Sequence, residues 1–440
     1  MSTLQEPQKH LESIGPRQRK AEIAGIYSIC SSHRMVLEAA FTQAGKDESP
    51  LLIEATCNQV NQFGGYSGMI PADFADYIYS MAGRMGFDRK KLMIGGDHLG
   101  PYVWKSEPAE NAMKKAEKLI SDCIRAGYAK IHLDASMPLG DDNTEQISHE
   151  LSAQRTARLC RAAENTAQQM QQKHPPPVYV IGAEVPTPGG SLALPHDVPV
   201  SQPAEVEEFI EVCKKQFLNS GLAEAWNRVI AVVVQPGIDF GETWVAQYKR
   251  DAAARLSTFH DRLPGSMTYE IHATDYQTPG ALDQMARDHF ALMKIGPCLT
   301  HALREAVFAL AHIENLRFAG RRDIEFSGIK DVLCRIMDAH PEHWKSHHRA
   351  ESASDWSVLF SYLDRVRYYW ARLEMEESLA RLIANLSGQI PLPLLSQYMP
   401  AQYNAASEGR LPADPLSLIR HKIRSTLTPY ATACRMSKDP

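Results

Sequence analysis

Up to about residue 300 the chain alternates short apolar runs with amphipathic stretches, separated by polar or glycine-containing breaks. The runs fall at 25–30 (GIYSIC), 51–55 (LLIEA), 92–96 (LMIGG), 130–134 (KIHLD), 178–182 (VYVIG), 229–234 (VIAVVV), 267–272 (MTYEIH) and 290–295 (FALMKI). Strands buried on both faces read as continuous apolar runs, and helix-like sequence follows each of these. Eight such units predict an α/β fold, a (β/α)8 TIM barrel, over residues 21–316. The rival, a doubly wound open sheet, would carry a glycine-rich nucleotide turn after an early strand. Here the first run is followed by SSHRM. From Ala302 the pattern turns helical, first as HALREAVFALAHIENL, which closes the barrel. Residues 317–440 are then expected to form a helical extension whose apolar faces need the barrel to pack on. Residues 1–20 are polar and predict a tail or lead-in helix.

The polar residues fall where a buried strand would not choose them. Ser31-Ser32-His33, Glu54 with Asn58 and Gln59, Asp97-His98, His132 with Asp134, Glu184, Gln235 and Glu270 with His272 all end or follow a run. In a TIM barrel the strand C-termini converge on one face, and that face carries the active site. One such residue alone is commonly a satisfied core group. So many acids and imidazoles in one cavity call for a ligand, a metal or water. Two irregular stretches, 57–70 and 185–203, are long enough to cover that face.

Composition narrows the class further. The 440 residues are 44% hydrophobic and 22% charged with net charge −5, so there is no basic footprint for nucleic acid. No apolar stretch approaches the roughly 18 residues of a membrane span. The N-terminus lacks the apolar core of a secretory signal. Eight scattered cysteines without a CxxC suit a reducing compartment, so a cytoplasmic location is expected.

The densest chemical signal is 95–101 (GGDHLGP). Two glycines are expected to let the backbone turn sharply and deliver an adjacent acid and imidazole into the mouth. Asp97 is the candidate proton-transfer group and His98 a candidate metal ligand. The bland alternative makes Asp97 a helix cap. Glu184, Gln235 and His272 could complete a site for Zn²⁺ or another divalent metal, with a position open for substrate. His132 and Asp134, two apart on one strand, share a side and could bind sugar hydroxyls. Arg304, Arg365 and Arg367 could supply a guanidinium fork for phosphate, or be ordinary surface arginines.

The stretches LIEATCNQVNQFGGYSGMIPADF, GGDHLGP, AGYAKIHLDASM, VIGAEVPTPGG, VVVQPG, EIHATDYQT, FALMKIGPCLTHALREA and SDWSVLF through DRVRYYW resemble the GatZ/KbaZ/AgaZ family. These are the Z subunits of class II tagatose-1,6-bisphosphate aldolase, and the likeness runs from about Ala21 to Cys434. The resemblance implies an accessory role beside a catalytic class II aldolase subunit, with a sugar phosphate as ligand; a homo-oligomer stays open. A more distant resemblance to the catalytic subunits implies that Asp97 and His98 correspond to their acid and zinc-binding histidine. It likewise matches Glu184 to their strand-five glutamate and His272 to their last zinc histidine. Gln235 stands where they carry a further histidine. Asp275, in ATD, stands in their Gly/Ser-rich phosphate loop, where a carboxylate would repel phosphate. Both departures speak against independent bisphosphate cleavage. The alternative is a metal-dependent ketose 4-epimerase or aldolase in its own right. Relatives are also labelled tagatose-6-phosphate kinase, yet the chain has no GxxxxGK[ST] loop.

Overall fold

The computed structural model describes residues 6–170, 175–182, 190, 198–348 and 350–436. All eight runs become parallel strands: β1 (Ile26–Ile29), β2 (Leu51–Thr56), β3 (Leu92–Leu99), β4 (Lys130–Leu133), β5 (Val178–Ile181), β6 (Val229–Val233), β7 (Thr268–Ile271) and β8 (Phe290–Ile295). Each pairs with its sequence neighbours and β8 closes on β1, with Ser28 beside Lys294 and Ile29 beside Ile295. The fold is therefore the (β/α)8 barrel that the alternation predicts.

Strand parity sorts the side chains. Tyr27 points outward, its ring 6.2 Å from that of Tyr430 on the C-terminal helix. Ser28, on the other parity, points inward and donates to Glu54. On β5 and β6 both parities are apolar, and every residue is buried. On β2, β3, β4, β7 and β8 the inward parity carries Glu54, Asp97, Lys130, His132, Glu270 and Lys294, each at most 4% exposed. The barrel is thus greasy on one side and charged on the other.

The helix Glu6–Gln18 lies across the N-terminal end of the barrel and buries Leu11 and Ile14 there. Gln8 donates to the carbonyl of Pro176, Gln18 to that of Ala24 and Arg19 to that of Met267, so the helix ties down several strand entrances. Gly15 allows this approach: a Cβ there would lie 2.4 Å from the Ser266 carbonyl.

After the last barrel helix, Pro297–Arg317, the chain stays helical, as the sequence suggests. The helix Pro415–Ala433 runs back along the barrel and buries Leu418, Ile419, Ile423, Leu427 and Tyr430. Arg420 pairs with Glu38 and Lys422 with Glu305, while Tyr430 donates to the Thr274 carbonyl. Between these helices, residues 361–370 form a strap across the C-terminal face. It includes the 3-10 turn Arg365–Tyr368. Arg304 and Thr300, from the last barrel helix, hold the strap through Asp364, at 3.0 and 2.6 Å. No helix among the described residues is long and apolar enough to cross a membrane.

Candidate active site: a charge-paired centre at the strand C-termini

Strand β3 supplies two adjacent residues to one interior, which regular pleating forbids because neighbours point to opposite faces. The pairing of β3 with β4 shifts register between Gly96 and Leu99, and His98 sits there at φ +48°. A bulged residue in the left-handed region re-aims its side chain. The glycines therefore do a different job from the turn expected of them. A Cβ on Gly95 would lie 2.7 Å from Glu54 Oε1, and one on Gly96 would lie 2.2 Å from Leu99 Cδ1. They make room; His98 makes the turn.

The deepest layer is ionic. Lys130 Nζ lies 2.7 Å from Glu54 Oε1 and 2.7 Å from Glu270 Oε2. Lys294 Nζ pairs with Glu54 and lies 3.1 Å from Asp97 Oδ1 and 3.3 Å from Glu270 Oε1. Burial works against ionising Asp97. The ammonium of Lys294, with His98 and His272 behind it, nevertheless holds the carboxyl well below the usual range. Burial and opposing charge have the same contest at Glu270, and Lys130 and Lys294 win it. An acid so stabilised as its anion is a weak proton acceptor at neutral pH.

Above this layer runs a hydrogen-bonded relay. Asp134 Oδ2 lies 2.8 Å from His98 Nδ1, His98 Nε2 lies 3.0 Å from His272 Nδ1, and His272 Nε2 lies 3.1 Å from Glu270 Oε1. Burial lowers His272 to about 4. Burial also acts against the His98 cation, yet Asp97 and Asp134 outweigh it and raise that imidazole. Asp134 itself sits at about 2, burial being overcome by the hydrogen bond from His98. Neighbours with opposed shifts fix the donors. His98, the more basic of the two rings, is the one placed to give a proton toward Asp134 and His272, and His272 in turn lies against Glu270.

Not every candidate reaches the mouth. The pocket there is lined by Asn58, Gln59, Asp97, His98, His272, Asp275 and Arg367, and also by Lys294, Tyr66 and Tyr368. Glu54, His132 and Asp134 lie beneath it, at most 1% exposed, so they support the floor rather than present groups to a sugar. Gln59 is committed to structure, accepting from the Thr56 N–H and donating to the Cys30 carbonyl. Gln235 does not turn toward the centre: its Oε1 accepts the N–H groups of Gly237 and Ile238, both at 2.9 Å, so a ligand role is not supported. Arg304 is corrected as well. It is 1% exposed and outside the mouth's lining; its Nε donates to Asp364 at 3.0 Å and holds the strap, while its Nη2 has no partner. Glu184 and most of the loop 185–203 lie outside the described residues.

Asp275 explains the departure in its loop. Its Oδ1 accepts the N–H of Gly296 at 3.1 Å and of Cys298 at 2.8 Å, at the start of the helix Pro297–Arg317. Free amides and the helix dipole at such a position favour an anion. Here the chain's own carboxylate occupies it.

A metal position is also legible, in a set other than the expected one. Asp97, His132, Glu270 and His272 each offer a ligand atom within 4.8 Å of the others, all buried. His132 Nε2 is buried without a partner, while its Nδ1 accepts the His98 N–H at 3.1 Å and lies 3.1 Å from Asp97 Oδ1. Two imidazoles and two carboxylates suit a divalent cation, so this cluster could hold a metal ion. The sequence reading singled out Glu270 at its run end but missed Lys130 and Lys294 as members of the centre. Their signal was present: charged residues at inward parity within KIHL and FALMKI.

Fold and centre together define a (β/α)8-barrel protein with a buried acid–imidazole–lysine site at its strand C-termini. The chain belongs to the GatZ/KbaZ-like family: the family profile described as D-tagatose-1,6-bisphosphate aldolase subunit GatZ/KbaZ-like matches residues 11–435. It is 44% identical, over 96% of its length and 99% of theirs, to proteins named D-tagatose-1,6-bisphosphate aldolase subunit GatZ from Salmonella typhimurium and Salmonella paratyphi B. A crystal structure described as a probable tagatose 6 phosphate kinase from Sinorhizobium meliloti is 38% identical with a TM-score of 0.84. That match covers 93% of this chain and all of the other.

Proposed function

We propose that the chain is the accessory subunit of a class II D-tagatose-1,6-bisphosphate aldolase. In this reading it supports the activity and stability of a separate catalytic subunit and receives a sugar phosphate at its barrel mouth. The observation that carries the reading is that the mouth answers its own charges. Lys294 sits against Asp97 and Glu270, where an aldolase needs a free acid and an exchangeable cation. Asp275 fills the amides where a phosphate would lie. Near-complete alignment with proteins named as aldolase subunits supports the same conclusion.

A second reading, a metal-dependent ketose epimerase or aldolase acting alone, is favoured by one observation, the four buried residues whose possible ligand atoms lie within 4.8 Å of one another. In that case Asp97, His132, Glu270 and His272 would hold Zn²⁺ or a similar ion, which polarises a substrate carbonyl when bound. The residues themselves would then orient the sugar through Asn58 and move a proton along the His98–His272 pair. The two readings separate on metal content and on turnover by the purified chain. The accessory reading expects sub-stoichiometric metal after dialysis and no cleavage of tagatose 1,6-bisphosphate without a partner. One firmly bound ion per chain together with turnover would replace it with the second reading.

A further inference from the structure

Two guanidinium groups beside the mouth converge on one phenol and on no carboxylate. Arg365 Nη1 and Arg367 Nη2 each donate to the Tyr368 hydroxyl oxygen at 3.1 Å. Arg367 Nη1 turns back to the strap's own carbonyls, those of Leu363 and Asp364. Arg365 is only 5% exposed, yet its Nε has no partner. A buried arginine is ordinarily matched by an acid. Neither of these has an ion-pair partner among the described residues. The acids nearest by are committed elsewhere, Asp364 to Arg304 and Thr300, and Asp275 to two backbone amides.

The surroundings register that excess positive charge. Burial, with Arg367 adding to it, lowers Arg365 to about 10. Burial would raise the Tyr368 phenol, yet the two guanidiniums bring it below its usual value. Burial and then Arg365 take His347 down to about 4. Arg365 faces a cleft of about 680 Å³ whose wall also presents Asn58, Asn61, Ser67, Tyr102 and His347. The volume falls within the roughly 300–1,000 Å³ of small-molecule sites. Among the described residues its one acid, Glu342, stands half exposed. Asn58, Tyr66 and Tyr368 line both this cleft and the mouth above Asp97 and His272, so the two spaces share a wall.

We propose that Arg365 and Arg367, carried onto the barrel by the C-terminal strap, form the phosphate seat of this mouth. The seat takes the phosphate monoester of a sugar phosphate whose sugar lies toward Asp97 and His272. It stands in for the helix N-terminus that Asp275 occupies. The planar fork suits a phosphate dianion, and without one the Tyr368 oxygen serves as the acceptor that holds both guanidiniums. This inference rests on the reading that the mouth receives a sugar phosphate.

The test is titration calorimetry of the full chain with inorganic phosphate, D-fructose 1,6-bisphosphate and unphosphorylated D-tagatose. It is run on the wild type, Arg365→Gln, Arg367→Gln and a surface control, Arg158→Gln. The expected result is phosphate binding, tighter for the sugar bisphosphate, that weakens about tenfold or more in the two strap variants and not in the control. Thermal melting provides the readout that a structural arginine would not share. Without phosphate, Arg365→Gln should melt no lower than wild type, because it removes an uncompensated buried charge, and it should lose the phosphate-induced rise in Tm. Should Arg365→Gln fail to fold, Arg365→Lys, which keeps the charge and loses the fork, should still weaken phosphate several-fold. Equal phosphate affinity in wild type and both strap variants, or no phosphate binding at all, overturns the proposal. Activation of a catalytic aldolase subunit is scored separately: phosphate binding without activation removes the accessory reading and leaves the seat standing, and activation without phosphate binding does the reverse.

Discussion

Lys294 shows how much one residue can decide. From a single inward position on β8 it meets Glu54, Asp97 and Glu270, all at most 3% exposed. Removing one member of a buried ionic set leaves the others uncompensated, at a cost of about 3–5 kcal/mol. Lys294→Met should therefore lower stability by about that amount in urea titration, and a loss below about 1 kcal/mol would mean the ammonium does not hold these acids. Asp239 makes the opposite case. Burial pushes it up to about 6 against one hydrogen bond from the Phe240 N–H. The folded state then binds its proton more tightly than the unfolded state does. Its cost is absent below about pH 4, grows between about pH 4 and 6, and is full above that. Asp239→Asn should accordingly stabilise the protein by about 1–2 kcal/mol at pH 7.5, after discounting for partial exposure, and leave it unchanged near pH 4. Melting curves at the two pH values check this, and an equal gain at both would show that charge is not the cause. At this scale the sequence was legible for Asp97, His98 and His272, because acids and imidazoles at run ends stand out. Lys130 and Lys294 were passed over, although each puts a charge at inward parity in an apolar run. Only closure of the barrel shows that their ammoniums share acids from β2, β3 and β7.

Among the elements, β3 departs furthest from what its pattern suggests. GGDHLGP was legible as a special strand end, but not the division of labour within it. A φ of +48° at His98 follows from the bulge against β4, and no local signal marks a histidine for that conformation. Gly100 is constrained by tertiary contact alone: a Cβ there would lie 1.7 Å from the carbonyl oxygen of Asp134. Gly100→Ala should cost about 3 kcal/mol or more, or prevent folding, since backbone must move. Gly45, inside the helix Arg34–Asp47, is the control, because a Cβ added there would meet nothing within 4 Å. Gly45→Ala should stabilise by about 0.5–1 kcal/mol. Equal effects in chemical denaturation would contradict the contact argument. The strap was legible only as helical extension. Its reach over the mouth depends on Asp364 meeting Arg304 and on Tyr276 donating to the Tyr362 carbonyl at 2.7 Å, contacts between segments far apart in sequence.

At the scale of the molecule, eight alternating units were enough to foresee a closed barrel, because strands buried on both faces leave few other arrangements. What the pattern could not convey is how the two chain ends complete it. The helix Glu6–Gln18 covers the N-terminal end, and the later helices carry Arg365 and Arg367 to the other. The decisive measurement is the initial rate of D-tagatose 1,6-bisphosphate cleavage by a catalytic class II aldolase subunit, taken with this chain, without it, and with this chain alone. Its Asp97→Asn variant, which keeps volume and removes only a charge, is assayed in parallel. The account predicts little or no cleavage by the chain alone, a clear increase in the rate or lifetime of the catalytic subunit when the chain is present, and support largely retained by Asp97→Asn. Robust cleavage by the chain alone that Asp97→Asn abolishes would contradict it.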